Sequence, residues 1–594
     1  MPPNETSPGT RQFVLCFDGT GNKFQGNESD SNVLKIFRML DRSDSEQCHY
    51  YQPGIGTYVT TRSFNTPGPV QRMKSAYSKA KDAALGSTFA DHVMGGYKFL
   101  MRYYCPGDQL YFFGFSRGAY VARFLAEMLD FVGLLEMGNE ELVRFAWKIF
   151  AKWQQRRSSS DDSASQAYQR KREEHFQYMA AFRETFSRPV TQIQFLGLFD
   201  TVNSVPRFET AWLQRSKFPY TARTSARVIR HAVSIDERRA KFRQDLISEE
   251  KPRVASGHRL RRHLRHRHFH AKHGDVQQND NSNINTQPGR PAYAVYRPSR
   301  HSQPPGRQDG PGRAGGLSES EPPGPTLLSA EECTSTASAA MSGHDSAFCG
   351  SDTLSDGKED EDDLPQDIQE VWFPGCHADI GGGWKLHDGE EWPLSHPSLV
   401  WMVTEARQAG LRFKRDKLKK FQCWDGSGIV SHKQTETRTR SNDKESQRQG
   451  TGTGHFYETL HKASTEGKLH DCLSLHQGLP FSSVLSWKLM EWMPFRRMDL
   501  QSDGSWKPIR WPLPRGEVRD MPADAQVHVS AIWRLEADPD YRPGNLIIGG
   551  GGRGVKKAPK EYGIGEWSVA RYPGCPVRET FVRKHALAHP DGVQ

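Results

Sequence analysis

The first 250 residues alternate between apolar runs of strand length and segments with helical periodicity. The run "QFVLCF" (residues 12–17) ends in the glycine-rich turn "DGTGN", and Val33, Ile36 and Leu40 then recur at the spacing of one helix face. A second apolar run, "QLYFF", is likewise followed by a segment with helical spacing, "AYVARFLAEML". A third apolar run is "TQIQFLGLF". Strands that alternate with helices in this way predict an α/β fold with a mostly parallel, doubly wound sheet.

The pattern divides the chain of 594 residues into three parts. Residues 1–250 and 366–412 carry the alternating pattern, and we expect them to form an α/β domain that holds any catalytic site. Residues 251–365 are rich in Pro, Gly and Ser and predict a low-complexity, disordered insert. Residues 413–594 are rich in tryptophan and predict a C-terminal extension or cap, with a polar linker at 432–454.

The net charge of +10 is concentrated in one segment. Residues 251–313 contain 13 Lys and Arg against 3 Asp and Glu, a difference of 10, so the remainder is neutral overall. Because the excess lies in the predicted insert, it argues against nucleic acid as a partner of the α/β domain. Within it, residues 258–273 hold six His and six Arg or Lys, a composition that suits metal, anionic lipid or RNA, and equally a solvated insert without function.

The nine cysteines are odd in number and scattered, and no two form a C-x-x-C pair. This arrangement indicates neither a disulfide framework nor a zinc site. The sequence also has no run of about 18 apolar residues and no apparent secretory signal at its start. We therefore expect a cytoplasmic protein, whose oligomeric state the sequence does not indicate.

Ser116 is the candidate nucleophile. It lies in "GFSRG", which fits the G-x-S-x-G pattern of a nucleophile elbow, where a sharp strand-to-helix turn exposes the serine. Gly114 and Gly118 leave the room that such a turn needs. A strand precedes the motif and a helix follows it, as the elbow requires. The alternative is a serine that only caps the helix.

A serine hydroxyl needs a histidine to take its proton and a carboxylate to orient that histidine. Asp200 comes directly after the apolar run "QFLGLF", and His377 follows the next strong strand in "VWFPGCHADIGGGW". The order Ser116, Asp200, His377 is the order found in α/β-hydrolases. The sequence therefore predicts these three as the catalytic residues.

Other residues compete for these roles. Asp200 could cap the turn that follows it, and Asp236 or Asp379 could be the acid. His231 and His528 are alternative bases, among 23 histidines.

A tetrahedral intermediate needs hydrogen-bond donors for its oxyanion. The expected donors are backbone N–H groups: that of Arg117, which follows the nucleophile, and one from the glycine-rich stretch "CFDGTGN" at 16–22, at Gly19 or Thr20. The alternative for this loop is a tight turn in which Asp18 binds local backbone amides.

Five segments in order carry a resemblance to a known family: "CFDGTGN", "PGDQLYFFGFSRGAYVAR", "LGLFDTVNSV", "HAVSIDERRAKF" and "VWFPGCHADIGGGW". Together they resemble the α/β-hydrolase family typified by the type-one lipase effectors of bacterial type VI secretion. The resemblance implies an α/β-hydrolase fold, a Ser116–Asp200–His377 triad and an activity similar to phospholipase A. The long insert and the Trp-rich C-terminal region depart from the bacterial pattern.

The residues and the resemblance together predict a serine hydrolase that cleaves carboxylic esters of lipids without a metal or other cofactor. The segment "SSVLSWKLMEWMPFRRM" (residues 482–498) suits a lid or a peripheral membrane contact, although ordinary core or cap packing is the favoured interpretation. Two other functions stay open: a catalytically silent scaffold that binds anionic partners through its basic insert, and hydrolysis of a thioester or amide.

Overall fold

The computed structural model describes residues 11–54, 87–154, 166–202, 224, 226–247, 366–387, 389–424, 451–492, 498–500, 506–508, 515–547 and 555–584. These residues all belong to one compact unit. The predicted insert at 251–365 and most of the predicted linker at 432–454 lie outside the described residues.

The described part of the chain contains a nine-stranded sheet and two short two-stranded sheets. The strands are β1 (Gln12–Phe17), β2 (Gln47–Gln52), β3 (Gln109–Phe115), β4 (Leu134–Leu135), β5 (Ser187–Arg188), β6 (Phe195–Phe199), β7 (Val228–Ser234), β8 (Asp367–Phe373), β9 (Met498–Leu500), β10 (Trp506–Pro508), β11 (Gln526–His528), β12 (Trp567–Arg571) and β13 (Thr580–Arg583). The order in the large sheet is β12-β13-β11-β8-β7-β6-β3-β1-β2. From β11 to β2 all neighbours are parallel, and β13 is antiparallel to β11 and β12.

Helices connect most of these strands. They are α1 (Asn32–Met39), α2 (Ser87–Tyr103), α3 (Arg117–Val132), α4 (Val143–Gln154), α5 (Gln166–Phe186), α6 (His377–Gly381), α7 (His396–Gln408), α8 (Arg415–Lys420), α9 (Thr451–Thr465), α10 (Phe481–Met490), α11 (Val529–Ala537) and α12 (Gly544–Ile547). Among these helices, none has the length and apolar character needed to cross a membrane.

Both faces of the large sheet are covered. All six residues of β1 are buried, because alternate side chains enter different cores. Phe13 and Leu15 pack in a core with residues of α2 and α3, whereas Val14 and Cys16 pack in a core with residues of α1 and α7. A continuous apolar strand of this kind is typical of a parallel sheet between two helical layers. The predicted mixed α/β fold with a mostly parallel sheet is confirmed.

The region after residue 412 contributes to the same sheet. Val527 of β11 pairs with Trp372 of β8 in parallel, and β13 and β12 follow on the other side of β11. Because β11 contains only three residues, its sequence carries no periodicity that would predict a strand. The C-terminal region thus extends the sheet and packs a third core around Trp372.

Candidate active site

Ser116 lies between β3 and α3, on the turn that the sequence predicts. Its backbone has φ 59° and ψ −122°, outside the regions that residues with a Cβ ordinarily adopt. Such a conformation costs on the order of 1–3 kcal/mol and is most often found at functional sites. The turn is tight: a Cβ on Gly118 would lie 2.2 Å from the backbone oxygen of Phe17, so the first turn of α3 touches the end of β1.

Asp200 and His377 follow two other strands of the same sheet. Asp200 comes directly after β6, with φ 40°, and its backbone N–H donates to the oxygen of Ala232 over 2.7 Å. His377 is the first residue of α6, shortly after β8. Since β3, β6 and β8 are parallel, their carboxyl ends lie at one edge of the sheet. The two side chains are buried there beside Ser116.

The three predicted catalytic side chains form a continuous chain of hydrogen bonds. Nε2 of His377 lies 2.8 Å from Oγ of Ser116, and Nδ1 lies 2.5 Å from Oδ2 of Asp200. A carboxylate can only accept hydrogen bonds, so Nδ1 carries the proton and Nε2 is left to accept from the serine hydroxyl. This is the arrangement of nucleophile, base and orienting acid that nucleophilic catalysis requires.

The imidazole of His377 is enclosed by aromatic rings. The ring of Phe115 lies 4.8 Å from it and the ring of Phe242 lies 4.7 Å from it, measured between centroids. Burial lowers the pKa of His377 below its ordinary value, although the hydrogen bond and charge of Asp200 act in the opposite direction. The neutral imidazole, which can accept a proton, is therefore favoured at neutral pH.

Arg519 binds the other side of Asp200, and sequence reasoning missed it. Its Nη1 lies 2.5 Å from Oδ1 of Asp200 and its Nη2 lies 2.9 Å from Oδ2, and both side chains are fully buried. The backbone N–H of Ser234 also donates to Oδ1 over 2.9 Å. Burial alone would raise the pKa of Asp200, but the charges and hydrogen bonds of Arg519 and His377 outweigh it and hold that pKa well below its ordinary value.

A second ion pair supports the backbone of His377. The carboxylate of Glu237 accepts from the backbone N–H of His377 over 3.2 Å, and it binds the guanidinium of Arg239 through Nε and Nη2. Burial raises the pKa of Glu237, but the charge of Arg239 dominates and lowers it to about 2. Both residues lie in the segment "HAVSIDERRAKF", which also contains Asp236, the alternative acid.

The predicted oxyanion residues differ in their hydrogen bonding. The N–H of Gly19 donates to Oδ1 of Asp18 over 2.7 Å, so this amide is already engaged. The Oγ1 of Thr20 is buried and has no hydrogen-bond partner among the described residues. Arg117, the first residue of α3, directly follows Ser116. The predicted backbone donor at Gly19 is thus engaged, and the donor without a partner among the described residues of this loop is the hydroxyl of Thr20 rather than a backbone amide.

Asp18 binds its own loop, as the alternative interpretation of this turn expects. Its carboxylate also accepts from the hydroxyls of Ser31 and Tyr51, each over 2.7 Å. Burial raises the pKa of Asp18, and these hydrogen bonds partly offset the rise.

The alternative acids bind the loop around His377. The carboxylate of Asp236 accepts from the N–H of Gly375 over 2.7 Å and from the hydroxyl of Tyr541 over 2.8 Å, and burial raises its pKa to about 6. The carboxylate of Asp379 accepts from the N–H of Cys376 and from Nδ1 of His470. Both carboxylates thus hold the segment that carries His377.

The alternative bases have their ring nitrogens occupied elsewhere. Nδ1 of His231 lies 2.8 Å from Glu370, and its Nε2 accepts from the N–H of Thr201 over 3.1 Å. The ring of His528 contacts Ser530 and the backbone oxygen of Val577. Neither histidine therefore has a ring nitrogen available to accept the proton of Ser116.

Comparison with known proteins identifies relatives of this chain. The family described as "T6SS, Phospholipase effector Tle1-like, catalytic domain" matches residues 11–405. Uncharacterized protein YEL023C of Saccharomyces cerevisiae is 31% identical over 596 aligned positions, which cover 92% of this chain and 82% of that protein.

Two solved structures are similar at lower identity. An uncharacterized protein from Pseudomonas aeruginosa is 16% identical, with a TM-score of 0.27, over 68% of this chain and 46% of that one. The Tle1 effector bound to the VgrG spike of the type 6 secretion system is also 16% identical, with a TM-score of 0.19, over 41% of this chain and 48% of that one. The chain thus matches about half the length of each structure.

The family match spans every segment that carries the resemblance in the sequence, including those of Ser116, Asp200 and His377. It ends before Arg519, so the residue that binds Asp200 lies outside the matched region. The resemblance to the lipase effectors is confirmed, and the chain belongs to the Tle1-like family of type VI secretion phospholipase effectors.

Proposed function

We propose that this protein is a serine hydrolase of the α/β-hydrolase type that cleaves carboxylic ester bonds of lipids, with an activity similar to phospholipase A. The observation that carries the proposal is the hydrogen-bonded chain from Ser116 through His377 to Asp200. Membership of a phospholipase effector family supports lipid esters as the substrate class.

In the proposed first half-reaction, Oγ of Ser116 attacks the ester carbonyl carbon while its proton passes to Nε2 of His377. The tetrahedral oxyanion accepts hydrogen bonds from the N–H of Arg117 and the hydroxyl of Thr20. Collapse of the intermediate breaks the ester C–O bond, and His377 returns the proton to the leaving alcohol. An acyl group then remains on Ser116.

In the second half-reaction, water attacks the acyl carbon and gives a proton to His377. Collapse of the second tetrahedral intermediate releases the carboxylic acid, and Oγ of Ser116 regains a proton from Nε2. Asp200 stays ionised throughout because Arg519 lowers its pKa, and it stabilises the positive charge that forms on His377.

Covalent labelling tests the nucleophile directly. We expect a fluorophosphonate probe to form one adduct on Ser116 of the full chain, identified by peptide mass spectrometry. The rate should fall at acid pH as His377 becomes protonated. Because the pKa of His377 is lowered, the midpoint of this fall should lie below pH 6.5.

Two variants make the labelling result decisive. Ser116→Ala should take up no probe, whereas Ser464→Ala, which removes a buried hydroxyl that donates to the backbone oxygen of Leu460 in α9, should be labelled like the parent. Absence of an adduct on the parent, or an equal rate of labelling in Ser116→Ala, would contradict the proposed nucleophile.

Thr20 gives a separate test of the oxyanion site. Thr20→Val replaces the hydroxyl by a methyl group of similar size and should lower kcat for ester hydrolysis by about 10²-fold or more, with little change in KM. Thr20→Ser retains a hydroxyl and should keep most of the activity. An equal loss in both variants would mean that the hydroxyl is not the donor.

A further inference from the structure

Helix α10 presents an apolar face to solvent. Phe481, Leu485, Leu489 and Trp492 are 67%, 56%, 68% and 58% exposed. They are spaced four, four and three residues apart, which places them on one side of the helix. Trp492 lies just after the end of α10 and continues this row. We call these four residues the α10 face. Single exposed apolar residues are ordinary on a protein surface, but a row of four large ones indicates an interaction site.

The opposite side of α10 contacts the candidate active site. The ring of Trp487 lies 5.6 Å from the ring of Phe242, which in turn lies 4.7 Å from the ring of His377. The carboxylate of Glu491 accepts from the backbone N–H of Ala240 over 2.8 Å and from that of Gly516 over 3.1 Å. The helix is therefore anchored beside the candidate base, with the α10 face directed away from it.

Positive charge accompanies the α10 face. Within residues 481–492, Lys488 is the one basic residue and Glu491 the one acidic residue. Glu491 is buried and Lys488 is exposed, and the guanidinium of Arg515 lies 3.4 Å from the centre of the Trp492 ring. A row of apolar side chains bordered by basic and aromatic residues matches the boundary between acyl chains and anionic headgroups.

We infer that the α10 face binds the surface of an anionic lipid bilayer. The inference rests on the proposed function, because a bilayer is where the proposed ester substrate is found. Insertion of the apolar side chains among the lipid acyl chains would bring the protein surface beside His377 against the membrane. The bound surface is a lipid and not a second protein chain.

Flotation with lipid vesicles tests this inference on the full chain. We expect the parent to float with vesicles of equal parts phosphatidylcholine and phosphatidylglycerol, and less with phosphatidylcholine alone. Leu485→Ser/Leu489→Ser should lower the partition coefficient on the order of tenfold or more, because two large apolar groups no longer leave water. Lys488→Glu should lower the preference for the anionic vesicles, on the order of tenfold, because it reverses one of the exposed basic charges at the face.

A matched control uses exposed apolar residues elsewhere on the surface. Met137 and Val569 are 61% and 46% exposed, and Met137→Ser/Val569→Ser should bind vesicles like the parent. In hydrolysis assays, Leu485→Ser/Leu489→Ser should lose activity on vesicle phospholipid far more than on a water-soluble short-chain ester. The ratio of the two activities separates lipid docking from a change at the active site.

Several outcomes would overturn the inference. They are a parent that floats with neither vesicle, a Leu485→Ser/Leu489→Ser variant that binds like the parent, and an equal loss of binding in the control. A parent that is dimeric by light scattering and becomes monomeric in this variant would show that a second copy covers the face. Vesicle binding without any ester hydrolysis would instead contradict the proposed function alone.

Discussion

Ser116→Ala is expected to lower kcat for hydrolysis of a short-chain ester and of vesicle phospholipid by about 10⁴- to 10⁶-fold. His377→Ala should cause a loss of similar size, because Oγ of Ser116 is a weak nucleophile unless Nε2 of His377 takes its proton. The two residues act as one unit. The double variant Ser116→Ala/His377→Ala should therefore be no slower than either single variant, rather than lose the product of the two effects.

The control for this experiment is His461→Ala, which changes an exposed histidine on α9 and should leave kcat within about twofold of the parent. Circular dichroism and thermal unfolding should show that all variants fold. If Ser116→Ala retained a tenth of the activity, or if the double variant lost the product of the single effects, the two residues would not form a catalytic unit.

Arg519→Met is expected to lower the free energy of unfolding at pH 7 by about 3–5 kcal/mol, because it leaves the buried carboxylate of Asp200 without its ion-pair partner. In the parent, the pKa of Asp200 lies below its unfolded value. Asp200 therefore contributes stability that is present above about pH 4 and is lost as the pH falls through the folded pKa. In the variant, burial would raise that pKa, so the ionised carboxylate would oppose folding at neutral pH.

The difference in stability between parent and Arg519→Met should therefore be largest near neutral pH and narrow below about pH 4. Urea unfolding at several pH values measures it. Arg519→Lys retains the charge but cannot bind both carboxylate oxygens in the same way, so it should recover only part of the stability.

Arg542→Met is the matched control, since Arg542 is also buried but donates to the backbone oxygens of Ala558 and Pro559. It should destabilise the protein by an amount that changes little with pH. An Arg519→Met defect that is equally independent of pH would mean that Arg519 does not set the charge state of Asp200.

Sequence patterns could predict the residues that follow long buried strands. Ser116 and Asp200 come directly after β3 and β6, whose apolar runs are unmistakable, and a parallel sheet brings such positions to one edge. His377 could be predicted because β8 precedes it and three glycines follow. The distances that join these three side chains could not be predicted, because they depend on the register of strands that are distant in sequence.

Arg519 and Glu237 could not be predicted for a different reason. Each acts through a buried ion pair, and a charged residue in "RGEVRDMP" or "DERRAKF" looks the same as one on the surface until the chain folds. The strand that follows Arg519 in the sequence, β11, has only three residues and therefore no periodicity that could predict it. The Trp and Met residues of "SSVLSWKLMEW" suggested a lid or a membrane contact, but only the structure shows which apolar side chains of α10 face solvent.

The pairing of β7 with β8 limits how much the length of the segment between them can affect the stability of the fold. Val228 pairs with Asp367, and the backbone N–H of Ile247 donates to the Glu370 side chain of β8 over 2.8 Å, so residues 248–365 start and finish close together. The entropic cost of joining two fixed points by a segment of chain grows only with the logarithm of its length, about 0.6 kcal/mol for each doubling. The length of this segment can therefore differ several-fold between relatives with little change in the free energy of unfolding. The sheet and the edge that carries Ser116 need not change.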